Sequence, residues 1–117
     1  MSDSFTTNGL IRLQPGSATV PYTFTFSVAS SATANDGAIP YGTTIASAAV
    51  KAFDAAGTDK TSEIIVSNSV SSPVVTVSLK YPTTGAGVYS LEFVLTLSTG
   101  AVMEFDFTRV NVEDISA

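Results

Sequence analysis

The acidic side chains are the first candidates for chemistry in this chain of 117 residues, because it contains no histidine and no cysteine. That composition removes the usual general base, the Ser–His and Cys–His nucleophile pairs, and imidazole or thiolate metal ligands. Paired carboxylates can hydrolyse glycosidic bonds, and Glu92, Glu104 and Asp106 fall in the last third of the sequence. Acidic and apolar residues alternate here, which places the acids on a solvent-facing strand surface. We therefore expect no catalytic residues and no enzymatic activity.

The loop from Asp54 to Lys60 offers a second chemical possibility. Asp54, Thr58 and Asp59 carry oxygen atoms of the kind that calcium binds. Their spacing does not match an EF-hand loop, and Lys60 places a positive charge beside the acids. A polar turn is the simpler interpretation, so the sequence predicts no metal site.

Two glycine-containing segments were candidates for ligand binding. The segment Gly85-Ala86-Gly87 precedes a predicted strand, whereas phosphate-binding glycine loops precede a helix. The segment Asn35-Asp36-Gly37 is typical of a tight turn, in which glycine supplies a positive φ at low cost. The sequence therefore predicts no nucleotide site and no cofactor.

The charge balance narrows the possible partners. Ten acidic and five basic residues give a net charge of −5, which repels phosphate backbones and anionic lipids. We therefore expect neither a nucleic acid nor a membrane partner. The N-terminus lacks a secretory signal pattern, and no apolar run reaches the ~18 residues that span a bilayer. For a chain that begins at its natural methionine, this predicts synthesis and retention in the cytosol.

Strict alternation of apolar and polar residues is the clearest structural signal. It runs from Val20 to Val28, from Tyr89 to Leu97 and from Met103 to Phe107. Because side chains on a strand point alternately to opposite faces, each run places its apolar groups on one face. The short loop Ser98-Thr99-Gly100 joins the last two runs, which predicts an antiparallel hairpin.

The remaining segments complete a set of about seven strands. Residues 43–53 are rich in alanine and also fit one face of a helix. Short strands on both sides favour a strand there, because a lone helix would leave one sheet without its partner. The predicted strands span residues 9–13, 20–28, 43–53, 62–67, 73–80, 88–98 and 101–112.

This spacing predicts an all-β, immunoglobulin-like sandwich of about seven antiparallel strands. A single domain covers residues 1–117, with flexible ends expected at 1–8 and 113–117. Tyr89 lies near the start of the sixth strand. There it fits either the corner tyrosine of such sandwiches, whose hydroxyl bonds back to the preceding turn, or an ordinary core aromatic residue.

The outward positions of the predicted strands are mostly threonine, serine and alanine. Such small side chains lose little rotamer entropy when they are packed. The surface therefore suits permanent docking against another protein, and it equally suits a weakly charged face that stays in water.

Five segments of this chain together resemble the fibre–tail adaptor family, the small immunoglobulin-like, tail-fibre-associated proteins of tailed phages and prophages. They are Pro21–Ser27, Asp36–Ala48, Val75–Leu79, Thr83–Tyr89 and the hairpin through Ser98-Thr99-Gly100. The resemblance covers roughly residues 20–110. The chain departs from the family pattern because its early strand has no tryptophan, and Tyr81-Pro82-Thr83 stands where a Gly-Gly pair is common.

The resemblance implies a structural role in a virion that is assembled in the host cytoplasm. Contacts with further copies of the chain and with other tail or fibre proteins would carry out that role. The loops 35–41 and 83–87 are predicted to cluster at one end of the sandwich and reach the partner. The candidate interface residues are Asn35, Asp36, Tyr41 and Tyr81.

The two tyrosines fit either exposed anchors of an interface or residues that cap the core. The alternative function is an immunoglobulin-like module that binds carbohydrate or mediates adhesion. That alternative requires a platform of exposed aromatic side chains or a bound calcium ion.

Overall fold

The computed structural model describes residues 5–7, 12–13, 19–34 and 36–112, and within them the chain forms eight strands and one helical turn. In chain order these are β1 (Phe5–Thr7), β2 (Arg12–Leu13), β3 (Val20–Phe26), β4 (Ile45–Phe53), α1 (Thr61–Ile64), β5 (Ile65–Ser71), β6 (Val74–Leu79), β7 (Gly87–Leu97) and β8 (Val102–Val112). The ends expected to be flexible, residues 1–8 and 113–117, lie outside the described residues except for β1.

The strands form two four-stranded sheets. The first sheet has the order β1-β3-β6-β5, and the second sheet has the order β2-β8-β7-β4. Seven strands pair with antiparallel neighbours, and the short β2 runs parallel to β8. This is the strand order of immunoglobulin domains. The predicted all-β, immunoglobulin-like sandwich of about seven antiparallel strands is therefore confirmed.

Aromatic side chains from both sheets meet in the core. Phe24 and Phe26 of β3 are fully buried, and their rings lie 4.8 and 5.4 Å from the ring of Phe93 on β7. Phe105 of β8 lies 5.1 Å from Phe26 and is half-buried. The alternation read from the sequence thus places the apolar side chains on the inner faces, where burial of their surface stabilises the sandwich.

The alanine-rich segment is a strand, as predicted. The strand β4 pairs antiparallel with β7, and its side chains alternate from buried Val50 to exposed Lys51 to buried Ala52. Alanine favours helices only weakly. The backbone hydrogen bonds that β7 offers, together with burial of one face, are sufficient to outweigh that preference.

The strand predicted over residues 62–67 begins later than expected, because residues Thr61–Ile64 form a helical turn. The backbone amides of Glu63 and Ile64 both donate to the carbonyl oxygen of Lys60, at 3.0 and 3.2 Å. The turn carries Ile64 into the core, where it is fully buried. The β-branched residues Ile64, Ile65 and Val66 therefore lie partly in a turn, and β5 starts at Ile65.

Tyr89 is the corner tyrosine of the sandwich. Its hydroxyl donates to the carbonyl oxygen of Gly85 at 2.8 Å, and the residue is only 2% exposed. Burial, followed by the negative charge of Glu63, raises the pKa of Tyr89. The hydroxyl therefore stays protonated as the donor that fixes the turn before β7.

One end of the sandwich, which we call the hairpin end, consists of the loop 27–44 and the two hairpin turns 72–73 and 98–101. The backbone amide of Ser98 donates to the carbonyl oxygen of Thr44 at 2.8 Å. This bond ties the long loop to the turn between β7 and β8.

The opposite end, which we call the helix end, consists of residues 54–64 and the loop 80–86. The backbone amide of Lys80 donates to the carbonyl oxygen of Ile64 at 2.9 Å. The two loops that were expected at one end, 35–41 and 83–87, therefore lie at opposite ends. Three antiparallel strands separate them along the chain, and each strand reverses the chain direction.

Candidate functional site

Asp36 closes the long loop at the hairpin end. One carboxylate oxygen accepts a hydrogen bond from the backbone amide of Ser30 at 2.9 Å, and the other accepts one from the Ser30 hydroxyl at 2.7 Å. These bonds lower the pKa of Asp36. The neighbouring candidate Asn35 lies outside the described residues. Asp36 thus shapes the loop from within.

Tyr41 lies at the tip of a tight turn in the same loop. The amide and the hydroxyl of Thr43 both donate to the carbonyl oxygen of Pro40, at 3.2 and 2.6 Å. Tyr41 is 56% exposed and is the one strongly exposed aromatic side chain among the described residues. Its position fits the interface anchor expected from the sequence.

A notch of about 220 Å³ opens beside Tyr41. Small and apolar residues line this apolar notch: Ala29, Ala34, Gly37, Ala38, Ile39, Pro40 and Met103. All but Met103 come from the loop 27–44, and Met103 comes from β8 in the second sheet. Sequence reasoning missed the notch because its wall joins residues more than sixty positions apart.

Gly37 serves a different purpose from the one expected. The turn residues that require a positive φ are other glycines, such as Gly42 at +77°. A Cβ atom at Gly37 would lie 2.3 Å from the backbone nitrogen of Ala29 and 2.6 Å from the carbonyl carbon of Val28. The prediction of a positive φ at Gly37 is therefore wrong, and glycine is required there because two backbone segments pack against each other.

Tyr81 lies at the helix end, opposite Tyr41. Its side chain is half-buried and packs against the hydrophobic core. This environment fits the core-capping alternative rather than a strongly exposed anchor. The structure therefore brings Asp36 and Tyr41 together at the hairpin end and leaves Tyr81 apart from them.

Glu63, which the sequence did not single out, clamps the loop 80–86 at the helix end. One of its carboxylate oxygens accepts hydrogen bonds from the hydroxyls of Thr83 and Thr84, at 2.8 and 2.6 Å, and from the Thr84 amide at 2.8 Å. The ammonium group of Lys60 lies 3.4 Å from the other oxygen. The hydrogen bonds from Thr84 and Thr83 lower the pKa of Glu63 from its ordinary 4.5 to about 2.

We expect a Glu63→Gln variant to lose part of the acid sensitivity of unfolding. Below pH 4.5 the unfolded chain binds a proton at Glu63 before the folded chain does. Stability from this group is therefore complete above that pH and is lost as the pH falls toward 2. Urea unfolding across this window measures the effect. The control is Glu104→Gln, at an exposed position, which should keep the wild-type dependence of the free energy of unfolding on pH. An equal pH dependence in all three proteins would contradict the expectation.

The outer face of the first sheet carries no charged side chain at its described positions on β3, β5 and β6. We call its outward positions on β3, β5 and β6 the hydroxyl face. In cross-strand rows they are Pro21-Ser78-Ser67, Thr23-Thr76-Ser69 and Thr25-Val74-Ser71. Seven of these nine side chains are hydroxyl-bearing, and none of them is ionisable. This is the flat Ser/Thr surface that the sequence indicated.

The outer face of the second sheet is charged. Lys51, Glu92 and Asp106 form one cross-strand row, and Glu104 pairs with Val94 in the next row. Glu104 and Asp106 are exposed and Glu92 is half-exposed, so the three acids lie on the solvent face as predicted. Thr43 is the only buried polar residue in the described part of the chain, so no described carboxyl group is buried.

The loop considered for calcium uses its acids to build a turn. Asp54 accepts hydrogen bonds from the backbone amides of Ala56 and Thr58, both at 2.9 Å. Asp59 accepts one from the amide of Thr61 at 2.9 Å. Within residues 5–7, 12–13, 19–34 and 36–112, no three side chains converge to hold a metal ion. The hydrogen bonds confirm the predicted polar turn.

Comparisons with known proteins add no relative from which a function could be transferred. Neither a scan against protein-family models nor a search of curated proteins finds a match to this chain. In the described part of the molecule, the single helical turn is too short to cross a membrane. The surfaces described above are therefore the features of the molecule that bear on its function.

Proposed function

We propose that this chain is a non-enzymatic structural protein of a phage or prophage particle, assembled in the host cytoplasm. It assembles by packing the hydroxyl face against a second copy of itself, and it joins other tail or fibre proteins in the particle. The resemblance to fibre–tail adaptor proteins supports the setting. The single observation that carries the proposed mechanism is the absence of charge from all nine positions of the hydroxyl face.

The lack of charge on the hydroxyl face favours this face for contact between copies. The whole chain has a net charge of −5, so two copies repel each other over most of their surface. Contact through the second sheet would bring Glu92, Glu104 and Asp106 of each copy together, and in the paired rows of β4, β7 and β8 described above Lys51 alone compensates them. Like charges that face each other across an interface are strongly unfavourable. The hydroxyl face avoids this penalty.

The size of the domain is compatible with such contacts. A specific interface buries about 800 Å² on each partner. The chain exposes 6165 Å² in total, so one interface would cover about an eighth of it. Ser and Thr side chains lose little rotamer entropy on packing, which keeps the cost of covering this face low.

The carboxyl groups support a role without catalysis. A catalytic acid pair works from a cleft in which burial and neighbouring charges shift its pKa values. The closest cross-strand acid pair, Glu92 and Asp106, lies on an open sheet face. The carbohydrate-binding alternative requires a platform of several exposed aromatic side chains. Among the described residues, Tyr41 is the single strongly exposed aromatic side chain.

A charge placed at the centre of the hydroxyl face should abolish self-association through that face. Thr76 is the middle residue of the middle row, between Thr23 and Ser69. A Thr76→Glu substitution would place two carboxylates against each other in a packed face, and we expect about a hundredfold weaker association or more. Sedimentation velocity over a concentration series measures this change.

The matched control is Val94→Glu, which introduces the same charge on the outer face of the second sheet. Val94 is also half-buried, and it lies on β7 between Ala49 and Glu104. We expect the control to associate as the wild type does. Equal loss in both variants, or a wild type that stays monomeric throughout, would overturn the proposed face. For the setting in a particle, the test is whether neighbouring genes encode tail, fibre or head proteins.

A further inference from the structure

We propose that the hairpin end is a second self-association site, in which Tyr41 of one copy inserts into the apolar notch of another copy. Tyr41 projects from the tip of its turn and is 56% exposed. The notch lies directly beside it, because Pro40 forms part of the notch wall. The hairpin end therefore presents a large aromatic side chain and an apolar recess of about 220 Å³ next to each other.

The two features suit a symmetric pair of identical chains. A contact with two-fold symmetry uses the same surface patch on both partners. If a side chain of one copy inserts into a recess of the second copy, the same side chain of the second copy therefore inserts into the recess of the first. A projection and a recess that are neighbours on one patch meet this condition. Tyrosine is also among the residues that contribute most to interface energies, because its ring buries a large area and loses little entropy.

The charge distribution favours a second copy as the occupant. In the described parts of its three loops, the hairpin end carries one charged side chain, Asp36. Both oxygens of that carboxylate are hydrogen-bonded to Ser30 within the same chain. The helix end, in contrast, carries five charged residues: Asp54, Asp59, Lys60, Glu63 and Lys80. For two copies of this chain, contact through the hairpin ends therefore removes one charged side chain from water on each copy, whereas contact through the helix ends would remove up to five.

Further apolar surface adjoins the notch and would be covered in the same contact. Val28, which precedes the notch residue Ala29 and pairs with the notch residue Ile39, is 38% exposed. Exposed apolar groups that cluster around a recess are typical of interaction sites.

This inference rests on the proposed function in one respect, namely that the assembly is built from copies of this chain. The hairpin end and the hydroxyl face are separate surfaces. A chain with two self-complementary surfaces can form assemblies larger than a dimer, because each copy contacts one neighbour through its face and another through its end. We therefore expect wild-type oligomers to grow beyond dimers with concentration.

The test uses Thr76→Glu as the background, so that the hydroxyl face no longer contributes. In this background we expect dimers at high concentration, and an added Tyr41→Ser substitution should weaken them about tenfold or more. The matched control is Val88→Ser, which removes an exposed apolar side chain of similar exposure, 53%, outside the hairpin end. The control should leave the dimers unchanged.

A mixing experiment tests the insertion itself. Ala34 lines the notch and is partly exposed, so an Ala34→Leu substitution fills the recess while Tyr41 remains. In the same background, each variant alone should associate at least about tenfold more weakly. An equimolar mixture of Tyr41→Ser and Ala34→Leu should regain part of the dimer, because one intact Tyr41 then meets one intact notch.

Each outcome separates the two proposals. If Thr76→Glu is monomeric at every concentration while the wild type associates, the hairpin-end contact is refuted and the face contact stands. If Thr76→Glu associates as the wild type does and Tyr41→Ser abolishes association, the face contact is refuted and the end contact stands. If the mixture does not recover association, or if Tyr41→Ser has no effect in this background, Tyr41 does not insert into the notch of a second copy. A wild type that never associates would refute both self-association contacts. The same result is expected if a different protein, and not a second copy, occupies the notch.

Discussion

A Phe93→Ala substitution should lower the free energy of unfolding by about 3–5 kcal/mol. The ring of Phe93 is fully buried and contacts Phe24 and Phe26 of the opposite sheet. Its removal would leave a cavity at the point where the two sheets meet, because the two remaining rings cannot close the gap by small movements. A domain of this size is stabilised by only about 5–15 kcal/mol, so the loss is a large part of the total. Urea unfolding followed by circular dichroism measures it.

The matched control is Phe105→Ala, one strand away. Phe105 lies directly opposite Phe93 in the β7–β8 pairing, and it is only half-buried. Because burial energy follows the area removed from water, we expect roughly half the loss seen at Phe93. If Phe93→Ala fails to fold, Phe93→Leu provides a measurable intermediate loss. Equal losses at the two positions would show that depth of burial does not set the cost of removing an aromatic ring from this core.

The fold was predictable where a single physical rule decided the outcome. Alternation in β3, β7 and β8 could arise only from strands with one buried face. The alanine-rich β4 required a global argument, since its local preference favours a helix and its neighbours favour a strand. The corner hydrogen bond of Tyr89 followed from its place at the start of a strand after a glycine-containing turn.

The helical turn Thr61–Ile64 was missed because composition does not distinguish a β-branched turn residue from a strand residue. Ile64 is buried in either case. A signal was present in the sequence, since the carboxylate of Asp59 accepts the amide of Thr61 at the start of the turn. Aspartate just before a run of helical residues is a common start signal.

The arrangement of the candidate site was harder to predict than the fold. The placement of the loops 35–41 and 83–87 at one end was wrong, although counting three antiparallel strands between them would have separated the loops. The apolar notch and the clamp at Glu63 depend on contacts between distant segments, which no local pattern reveals. The uncharged hydroxyl face was indicated by composition, but its rows became visible only with the strand register.

A Gly37→Ala substitution should destabilise the chain by about 3 kcal/mol or more, near the upper end for single substitutions. The added Cβ would lie 2.3 Å from the backbone nitrogen of Ala29, and that nitrogen donates to the carbonyl oxygen of Ile39 at 3.0 Å. Relief of the clash requires the two backbone segments to separate. This movement breaks the hydrogen bond and draws Ile39, which is 1% exposed, out of the core.

Gly42→Ala distinguishes this crowding from a general effect of replacing glycine in the same loop. Gly42 has a φ of +77°, and an added Cβ there meets nothing within 4 Å. The expected cost is only the strain of an alanine in the left-handed region, about 1–2 kcal/mol. Because the notch is built on the packing at Gly37, Gly37→Ala should also weaken any association through the hairpin end, whereas Gly42→Ala acts mainly on the turn of Tyr41. Equal losses of stability in the two variants would mean that the loop yields to the added methyl group, and that close backbone packing does not hold the hairpin end in shape.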